Sequence, residues 1–338
     1  MNLAVKNIIQ NICFSFALIT NCTLIFLIIK RSPPKLGTYK YLMIFFSTVS
    51  TGYSFMEYFL NPLIFSYKDC FQVIAKVQFA NNPLIDRYLL YYGCGFCGVI
   101  MSMFVVHFVF RFFALERKGK LKYFEGWFFA CWLAVPIFTG FIWAQTVLAF
   151  LHEDPESSEY MREILLQNYN LTIPEIMYVG VLYHKKTADG KDILNYKGIQ
   201  GVCILGTIMV GVYFNHFTES PKTENNVYKE VDHYKTVCFV FIIYYGSLTY
   251  KRIKHLILEG RSEYTRKLQK QLYQALVLQT IIPIFFMIVP LSIYFFSPLF
   301  HLGFQIIGDV TTFTTALYPI IDPLPVIFVI DNYRNAVF

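Results

Sequence analysis

Two cysteines at a spacing typical of redox and metal sites are the first candidates for chemistry in this sequence. Cys94 and Cys97 enclose Gly95 and Phe96, and two thiols so spaced can form a reactive disulfide or bind a metal ion. They lie inside an apolar run, however, and no second cysteine pair repeats the spacing. The seven histidines are scattered along the chain, and no glycine-rich phosphate loop or nucleophile elbow is present. The sequence therefore predicts no enzyme activity, no cofactor and no metal site.

Four charged residues within long apolar runs are stronger candidates: Glu57, Arg111, Asp309 and Asp322. A charge deep in a bilayer costs on the order of 3 kcal/mol on insertion scales, so few are retained without a partner or a function. Arg111 lies one helical turn after His107, so the two side chains share a face. An arginine at the interface whose side chain reaches the lipid phosphates is the structural alternative.

Asp322 stands out because prolines flank it at Pro319 and Pro323. Proline frees a backbone carbonyl and permits a helix to bend, so an acid at this point can belong to a hinge. A buried acid that only accepts hydrogen bonds from nearby backbone is the equally weighted alternative. Further prolines predict bends in the fourth and sixth apolar segments: Pro136, Pro283 and Pro290.

Long apolar segments must position these residues. The 338 residues are 56% hydrophobic and only 15% charged, whereas about 25% of the residues in a soluble domain are charged. Because about 20 apolar residues cross the hydrocarbon core as a helix, we predict an all-α integral membrane protein, a single domain of seven transmembrane helices over residues 1–338. The predicted spans are 8–29, 40–60, 88–114, 126–150, 199–250, 271–296 and 304–330.

The fifth span is interrupted by a polar stretch. Its apolar residues end near Phe217 and resume at Cys238. If both apolar pieces crossed the membrane, the basic segment 251–270 would lie outside the cell, whereas basic segments normally remain in the cytoplasm. We therefore predict that residues 211–237 are an insertion into one helix, such as a retained intron, with a natural loop in a broken helix as the alternative. Polar backbone is tolerated in lipid only where protein or water satisfies it.

The basic residues favour an amino terminus outside the cell. This topology places more than half of the 29 lysines and arginines in cytoplasmic segments, as the positive-inside rule requires. Anionic inner-leaflet lipid and a cytoplasmic partner then account for the net charge of +7, and nucleic acid is not needed as a partner. Asn170, in an Asn-Leu-Thr triplet, becomes a glycosylation acceptor in the second outer loop.

Four stretches carry a family resemblance: KLGTYKYLMIFFS from Lys35, HFVFRFFAL from His107, RKLQKQLYQALVLQTIIP from Arg266 and YPIIDPLPVIFVIDNYR from Tyr318. Their order and placement resemble those of nematode serpentine chemoreceptors of the Str class. The resemblance runs almost end to end, apart from the predicted insertion. It implies a seven-helix olfactory receptor that signals to a heterotrimeric G protein from the plasma membrane, in the cilium of a sensory neuron. On this basis the residues expected to act in coupling or switching are His107, Arg111, Lys267, Lys270, Asp322 and Pro323.

A ligand site is expected between the outer halves of helices three, five, six and seven. The candidate lining residues are Tyr92, Phe96, Met101, Phe286, Tyr294, Gln305 and Asp309. Such an aromatic and sulfur-rich lining suits a small volatile or apolar molecule, an odorant on the receptor interpretation. Each aromatic residue has simple packing as its alternative.

Other classes of membrane protein remain as alternatives. A transporter or a ligand-gated channel usually shows paired repeats or polar residues along several helices, and neither is evident. A retinal-type pump needs a lysine in the last span, and residues 304–330 contain none. A receptor fold that no longer signals, as in a pseudogene product carrying the insertion, is the third possibility.

Overall fold

The apolar segments form helices in this computed structural model, whose described residues are 3–78, 82–115, 124–186, 192–215 and 263–337. The helices are α1 (Leu3–Arg31), α2 (Tyr39–Leu60), α3 (Pro83–Leu115), α4 (Gly126–Phe150), α5 (Pro155–Tyr169), α6 (Tyr196–Asn215), α7 (Glu263–Pro283), α8 (Val289–Phe296), α9 (Gln305–Ile321), α10 (Leu324–Val329) and α11 (Asp331–Val337). The strands are β1 (Leu63–Tyr67), β2 (Cys70–Lys76), β3 (Ile176–Leu182), β4 (His184–Lys186) and β5 (Asp192–Leu194).

Several of these helices are suited to lipid. Within the described residues, five helical segments are long and apolar enough to cross a membrane: Leu3–Arg31, Leu84–His107, Gly126–Phe150, Lys267–Phe300 and Gln305–Val329. Their outward surfaces carry large apolar side chains, such as Ile19, Phe138 and Phe285, each more than half exposed. Helices α2 and α6 pack beside these segments, which gives seven packed helical segments within the described part of the chain. The prediction of a helical integral membrane protein is confirmed.

Two of the long helical segments are interrupted near prolines. Helix α7 ends at Pro283 and continues through a π-helical turn, Ile284–Ile288, into α8. Asp322 and Pro323 separate α9 from α10, so residues 304–330 form two consecutive helices. Proline cannot donate the backbone hydrogen bond that would continue a helix, and its ring crowds the preceding turn.

An antiparallel sheet covers the end of the bundle where α1 begins. Its strand order is β1-β2-β3, with Ile64 opposite Val73 and Val73 opposite Val179. A second, two-stranded sheet joins β4 to β5. This sheet was not predicted from the sequence, because its strands are short apolar runs that are not long enough to signal a membrane span. We call β1, β2, β3 and α5 the cap.

Strand β3 lies at one edge of the sheet, yet it is buried along its whole length because residues pack against both of its faces. Successive side chains on a strand point to opposite faces. Met177, Val179 and Val181 pack into the core of the helix bundle, whereas Tyr178 and Leu182 belong to a separate cluster beneath α5. The cap therefore has an apolar core of its own and a second face that closes the bundle.

The opposite end of the bundle is the basic end, which we define by Arg31, Lys40, Lys267, Lys270 and Arg334. Helix ends meet there around a second apolar cluster that includes Phe110, Leu272 and Tyr333. The hydroxyl groups of Ser32 and Tyr333 share a hydrogen bond of 2.7 Å. Helix α11 is thereby fixed against the end of α1.

The predicted insertion at residues 211–237 falls almost entirely outside the described residues. Residues 211–215 form the last turn of α6, and residues 216–262 are not described. The insertion therefore stays a prediction.

Candidate functional site

An internal cavity lies between the sheet and the halves of the helices next to the cap. Its volume is about 90 Å³, and its lining is mostly apolar. The helices contribute Tyr53, Glu57, Cys94, Cys97, Leu291, Tyr294 and Thr315 to this lining, and the sheet contributes Ile64, Phe71, Val73 and Val179. A cavity of about 150 Å³ lined by Leu, Ile and Phe binds benzene. The present cavity is smaller, so its walls must move apart before it can hold a molecule of that size.

Polar groups occupy a small part of the cavity wall. The hydroxyl of Tyr53 donates a hydrogen bond of 2.7 Å to Glu57 Oε1 one turn along α2. Tyr294 is fully buried, and its hydroxyl has no hydrogen-bond partner among the described residues. Because a buried polar group without a partner is destabilising, the Tyr294 hydroxyl is available for a ligand. The arrangement suits a largely apolar molecule with one polar function.

Close backbone contacts hold the sheet over the cavity. The N–H of Gly180 donates to the carbonyl of Leu151, at 2.9 Å, where α4 ends. A Cβ atom at Gly180 would lie 2.0 Å from the carbonyl oxygen of Phe71, so glycine is needed for this approach. The Phe71 ring meets the Tyr294 ring edge to face, with centroids 5.1 Å apart. Strands β2 and β3 thus form a fixed roof.

The sequence-predicted ligand residues lie in different places. Tyr294 lines the cavity. Tyr92 faces away from the bundle, 44% exposed, and stacks on Phe141 of α4 with ring centroids 6.5 Å apart. Met101 is fully buried in the bundle core, and Phe96 and Phe286 pack against that same core. Their roles as ligand contacts stay predictions.

Gln305 and Asp309 instead connect the bundle to the sheet. Gln305 Nε2 donates to the carbonyl of Ile64 at 3.2 Å and to Asp309 Oδ1 at 2.9 Å. The backbone N–H of Ser66 donates to Gln305 Oε1 at 3.4 Å. These contacts attach β1 to the first turn of α9. Gln305 also borders a larger surface cleft of about 760 Å³, which contains Asn170.

Several cavity residues were absent from the predicted ligand set, although some carried a signal. Glu57 was noted as a charge within a span, and Cys94 and Cys97 were noted for their spacing. The strand residues Phe71 and Val179 lie in short apolar runs that carry no signal for a binding site. Their place in the cavity depends on strand pairing between distant parts of the chain.

Asp322 lies in a polar contact between three helices. Pro323 has no N–H to donate to the carbonyl of Pro319, and Asn21 Nδ2 donates to that carbonyl instead, at 2.8 Å. Gln279 Nε2 donates to the Asp322 carbonyl at 3.3 Å. The Asp322 side chain is 1% exposed, and its Oδ1 has no hydrogen-bond partner within the described part of the chain. Helices α1 and α7 therefore meet at the break after α9.

The predicted coupling residues of α3 lie towards the basic end. His107 is buried and meets the rings of Phe46 and Tyr39 edge to face, with centroids 4.9 and 5.8 Å apart. This contact joins α3 to α2. Arg111 lies in α3 one turn further on, and its side chain is outside the described structure.

The predicted coupling lysines lie at the start of α7. Lys267 Nζ is 2.7 Å from Asp331 Oδ2, and Arg334 Nη2 is 2.6 Å from Asp331 Oδ1. The hydrogen bond from Lys267 is the largest cause that lowers the pKa of Asp331 below its ordinary value. Lys270 is exposed. Lys267 therefore joins α7 to α11, whereas Lys270 presents its charge to the surroundings.

The predicted glycosylation acceptor lies at the end of α5. Asn170 is exposed and adopts the left-handed conformation, with φ 52° and ψ 42°, which asparagine tolerates better than most residues. Thr172 completes the triplet and is also exposed. The acceptor side chain is accessible on the surface of the cap.

Metal-binding side chains also meet beside the cap. Asp69, His184 and His301 bring one potential ligand atom each within 4.8 Å of the others. The sequence predicted no metal site because the histidines are scattered along the chain. The fold brings two of them together.

Comparison with known proteins places the whole chain in one group. The family model "Serpentine type 7TM GPCR chemoreceptor Str" matches residues 6–235 and 233–338. "G-protein coupled receptor str-217" of Caenorhabditis elegans is 31% identical over 323 residues, 94% of this chain and 84% of that protein. "Serpentine receptor class r-10" of Caenorhabditis briggsae is 29% identical over 333 residues, 96% of this chain and 87% of that protein.

A third relative, "G-protein coupled receptor str-33" of Caenorhabditis elegans, is 24% identical over 332 residues, 97% of this chain and 88% of that protein. The two family matches meet at residues 233–235, inside the stretch predicted as an insertion. The family is one of multi-pass membrane receptors and is not an enzyme family. The chain belongs to the Str family of serpentine seven-transmembrane chemoreceptors.

Proposed function

We propose that this chemoreceptor detects a small, mostly apolar and volatile molecule in the internal cavity and signals to a heterotrimeric G protein at the basic end. The observation that carries the proposal is the cavity itself, with its apolar lining and its roof of β2 and β3. An apolar cavity of this size favours a small ligand.

The ligand chemistry follows from the cavity wall. Burial of apolar surface supplies most of the affinity, at about 25 cal/mol per Å² removed from water. The Tyr294 hydroxyl, together with the Tyr53–Glu57 pair, offers a polar function on the ligand a hydrogen bond. Compact ketones, alcohols and esters have this combination of properties.

The proposed orientation places the amino terminus and the cap outside the cell. The described lysines and arginines at the basic end then face anionic cytoplasmic lipid and the G protein. The exposed Asn170 then lies on the side where glycosylation takes place. This orientation suits a receptor in the plasma membrane of a sensory cilium.

Residues between the cavity and the basic end are the proposed switch. Asn21, Gln279 and Asp322 meet at the break between α9 and α10. A buried polar contact at a helix break can adopt two arrangements, which is what a transmitted signal requires. Arg111, His107 and Lys270 then form or adjoin the G-protein contact.

The proposal is tested in cells that express the full chain with a calcium reporter, exposed to a panel of compact ketones, alcohols and esters. For an active compound, we expect Tyr294→Phe to raise the half-maximal concentration about 5-fold, because one hydrogen bond contributes about 1 kcal/mol. Tyr92→Phe is the matched control, since Tyr92 lies on the outer face of α3. Equal effects of both substitutions would contradict the cavity as the ligand site.

Coupling is tested in the same cells by blocking G-protein activation. We expect the calcium response to disappear. A fast ligand-evoked current that persists under the block would favour a ligand-gated channel instead.

A further inference from the structure

Three residues from distant parts of the chain converge beside the cap. Asp69 lies in the turn between β1 and β2, His184 begins β4, and His301 lies just before α9. His184 Nδ1 is 3.3 Å from Asp69 Oδ1, and His301 Nδ1 contacts the same oxygen. The two imidazole rings stack with centroids 4.1 Å apart and planes 26° apart.

Hydrogen bonding does not fully satisfy this cluster. His184 Nδ1 is buried, and none of the described residues forms a hydrogen bond with it, although the carboxylate oxygen of Asp69 is close. One carboxylate oxygen thus faces two imidazole nitrogens. A cation between the three atoms would satisfy all of them, since imidazole nitrogen and carboxylate oxygen are both metal ligands.

Backbone hydrogen bonds hold these residues in place independently of their side chains. The N–H of Lys68 donates to the carbonyl of Gly303 at 2.6 Å, and the N–H of Gly303 donates to the carbonyl of Lys68 at 2.9 Å. The N–H of Tyr183 donates to the carbonyl of Asp69 at 2.9 Å. A Cβ atom at Gly303 would lie 2.5 Å from the Lys68 carbonyl oxygen. The close pairing therefore requires glycine.

We propose that Asp69, His184 and His301 bind a zinc ion. Two imidazoles and one carboxylate, with water in the fourth position, form a common tetrahedral zinc site. The ligand atoms of such a site lie about 2.0–2.2 Å from the metal. Since the three potential ligand atoms are within 4.8 Å of one another, rotation of the side chains is enough to bring them to these distances from one metal ion. Calcium and magnesium prefer six or more oxygen ligands and do not suit this set.

Exposure of the site fits a metal that arrives from solution. The side chains of His184 and Asp69 are 17% and 19% exposed, whereas that of His301 is 63% exposed. Asp69 and His184 are thus mostly buried, and the exposed His301 side chain can rotate to let the ion reach them. The exposed side also leaves room for the water ligand.

Zinc would tie three chain segments together above the cavity. Tyr183, next to His184, donates a hydrogen bond from its hydroxyl to the carbonyl of Phe295 at 2.7 Å, and Phe295 lines the cavity. A metal bound by all three side chains would therefore join the turn between β1 and β2 to the start of β4 and to the residue before α9. Because zinc binds the folded chain, it also raises the melting temperature.

The test uses the purified full chain in detergent, freed of metal with a chelator and titrated with zinc chloride in competition with a chromogenic chelator. We expect Asp69→Asn, His184→Ala and His301→Asn each to weaken the affinity for one equivalent of zinc at least 10-fold. His152→Ala is the matched control, since His152 is an exposed histidine outside this group. Millimolar calcium or magnesium should not compete.

His301→Asn decides the question if another variant does not fold. His301 has a left-handed backbone, with φ 60°, which asparagine tolerates, and its side chain is mostly exposed. Zinc affinity in this variant equal to that of the unchanged protein, or no saturable zinc equivalent in the unchanged protein, would overturn the proposal. Neither outcome depends on the odorant or on the G protein.

Discussion

The cap and the basic end close the same helix bundle in different ways. At the cap, backbone hydrogen bonds pair β1, β2 and β3, and every residue of β3 is buried. At the basic end, charged side chains such as Lys267, Asp331 and Arg334 make contacts at the surface. Exposed ion pairs contribute only about 0–1 kcal/mol each. The cap is therefore built for a fixed shape, and the basic end for a shape that can change.

Gly180→Val should break the cap and have the largest effect. A Cβ atom there would lie 2.0 Å from the Phe71 carbonyl oxygen and 2.3 Å from Gln72 Oε1, so β2 and β3 must separate. Overpacking of this kind costs about 1–3 kcal/mol. We expect a melting temperature in detergent that is lower by several degrees, and less protein at the cell surface.

Gly206→Ala is the matched glycine control. Among the described atoms, nothing lies within 4 Å of a Cβ built at Gly206, and alanine favours a helix by about 1 kcal/mol relative to glycine. Its melting temperature should equal or exceed that of the unchanged protein. If Gly180→Val melted like this control, the cap would not be the rigid part of the molecule.

Asp154→Ala should weaken the cap by a smaller amount. The Asp154 carboxylate accepts hydrogen bonds from the N–H of Ser157 at 3.0 Å and from Lys185 Nζ at 3.3 Å, and it caps the start of α5. Loss of such a cap costs about 1 kcal/mol. We expect the melting temperature at neutral pH to fall by about 2 °C.

Lowering the pH should also destabilise the cap through Asp154. Burial alone would raise the pKa of Asp154, but hydrogen bonds from Ser157 and the attraction of Lys185 outweigh it and lower that pKa. This stabilisation is complete above the unfolded pKa of about 3.9 and is lost as pH falls through the folded value. Asp154→Asn keeps the cap and removes the titration, so its melting temperature should fall less in acid. An identical acid response would contradict this role.

Lys267→Ala tests the basic end and should change stability least. The Lys267 side chain is 66% exposed, so its ion pair with Asp331 is weak in solution. We expect the melting temperature to change by less than about 1 °C, in low salt as well as in high salt. A decrease as large as that of Gly180→Val would mean that the two ends are equally rigid.

The long helices could be predicted from the sequence, whereas the cap could not. The bilayer requires about 20 apolar residues per span, and this length signal is local. Strands such as Leu63–Tyr67 are too short to distinguish from helix by periodicity alone. Pairing of β2 with β3 joins residues about a hundred positions apart in the sequence, which no local pattern reports.

The candidate ligand residues could likewise be identified only in part from the sequence. Tyr294 and Tyr92 both occur in apolar helices, but only Tyr294 lines the cavity. A helix that is apolar all round gives no signal for which face points inward, so the sequence could not separate the two tyrosines. Glu57 was recognised as a charge within a span, and its contact with Tyr53 emerged only from the fold.

By itself the sequence determined that this protein is a helical membrane protein, because the cost of placing charge and unpaired backbone in lipid acts on each segment separately. Only the tertiary structure decided which side chains share the cavity and which histidines meet Asp69. Those contacts depend on how strands and helices pack across long sequence separations, where small differences in packing select one arrangement.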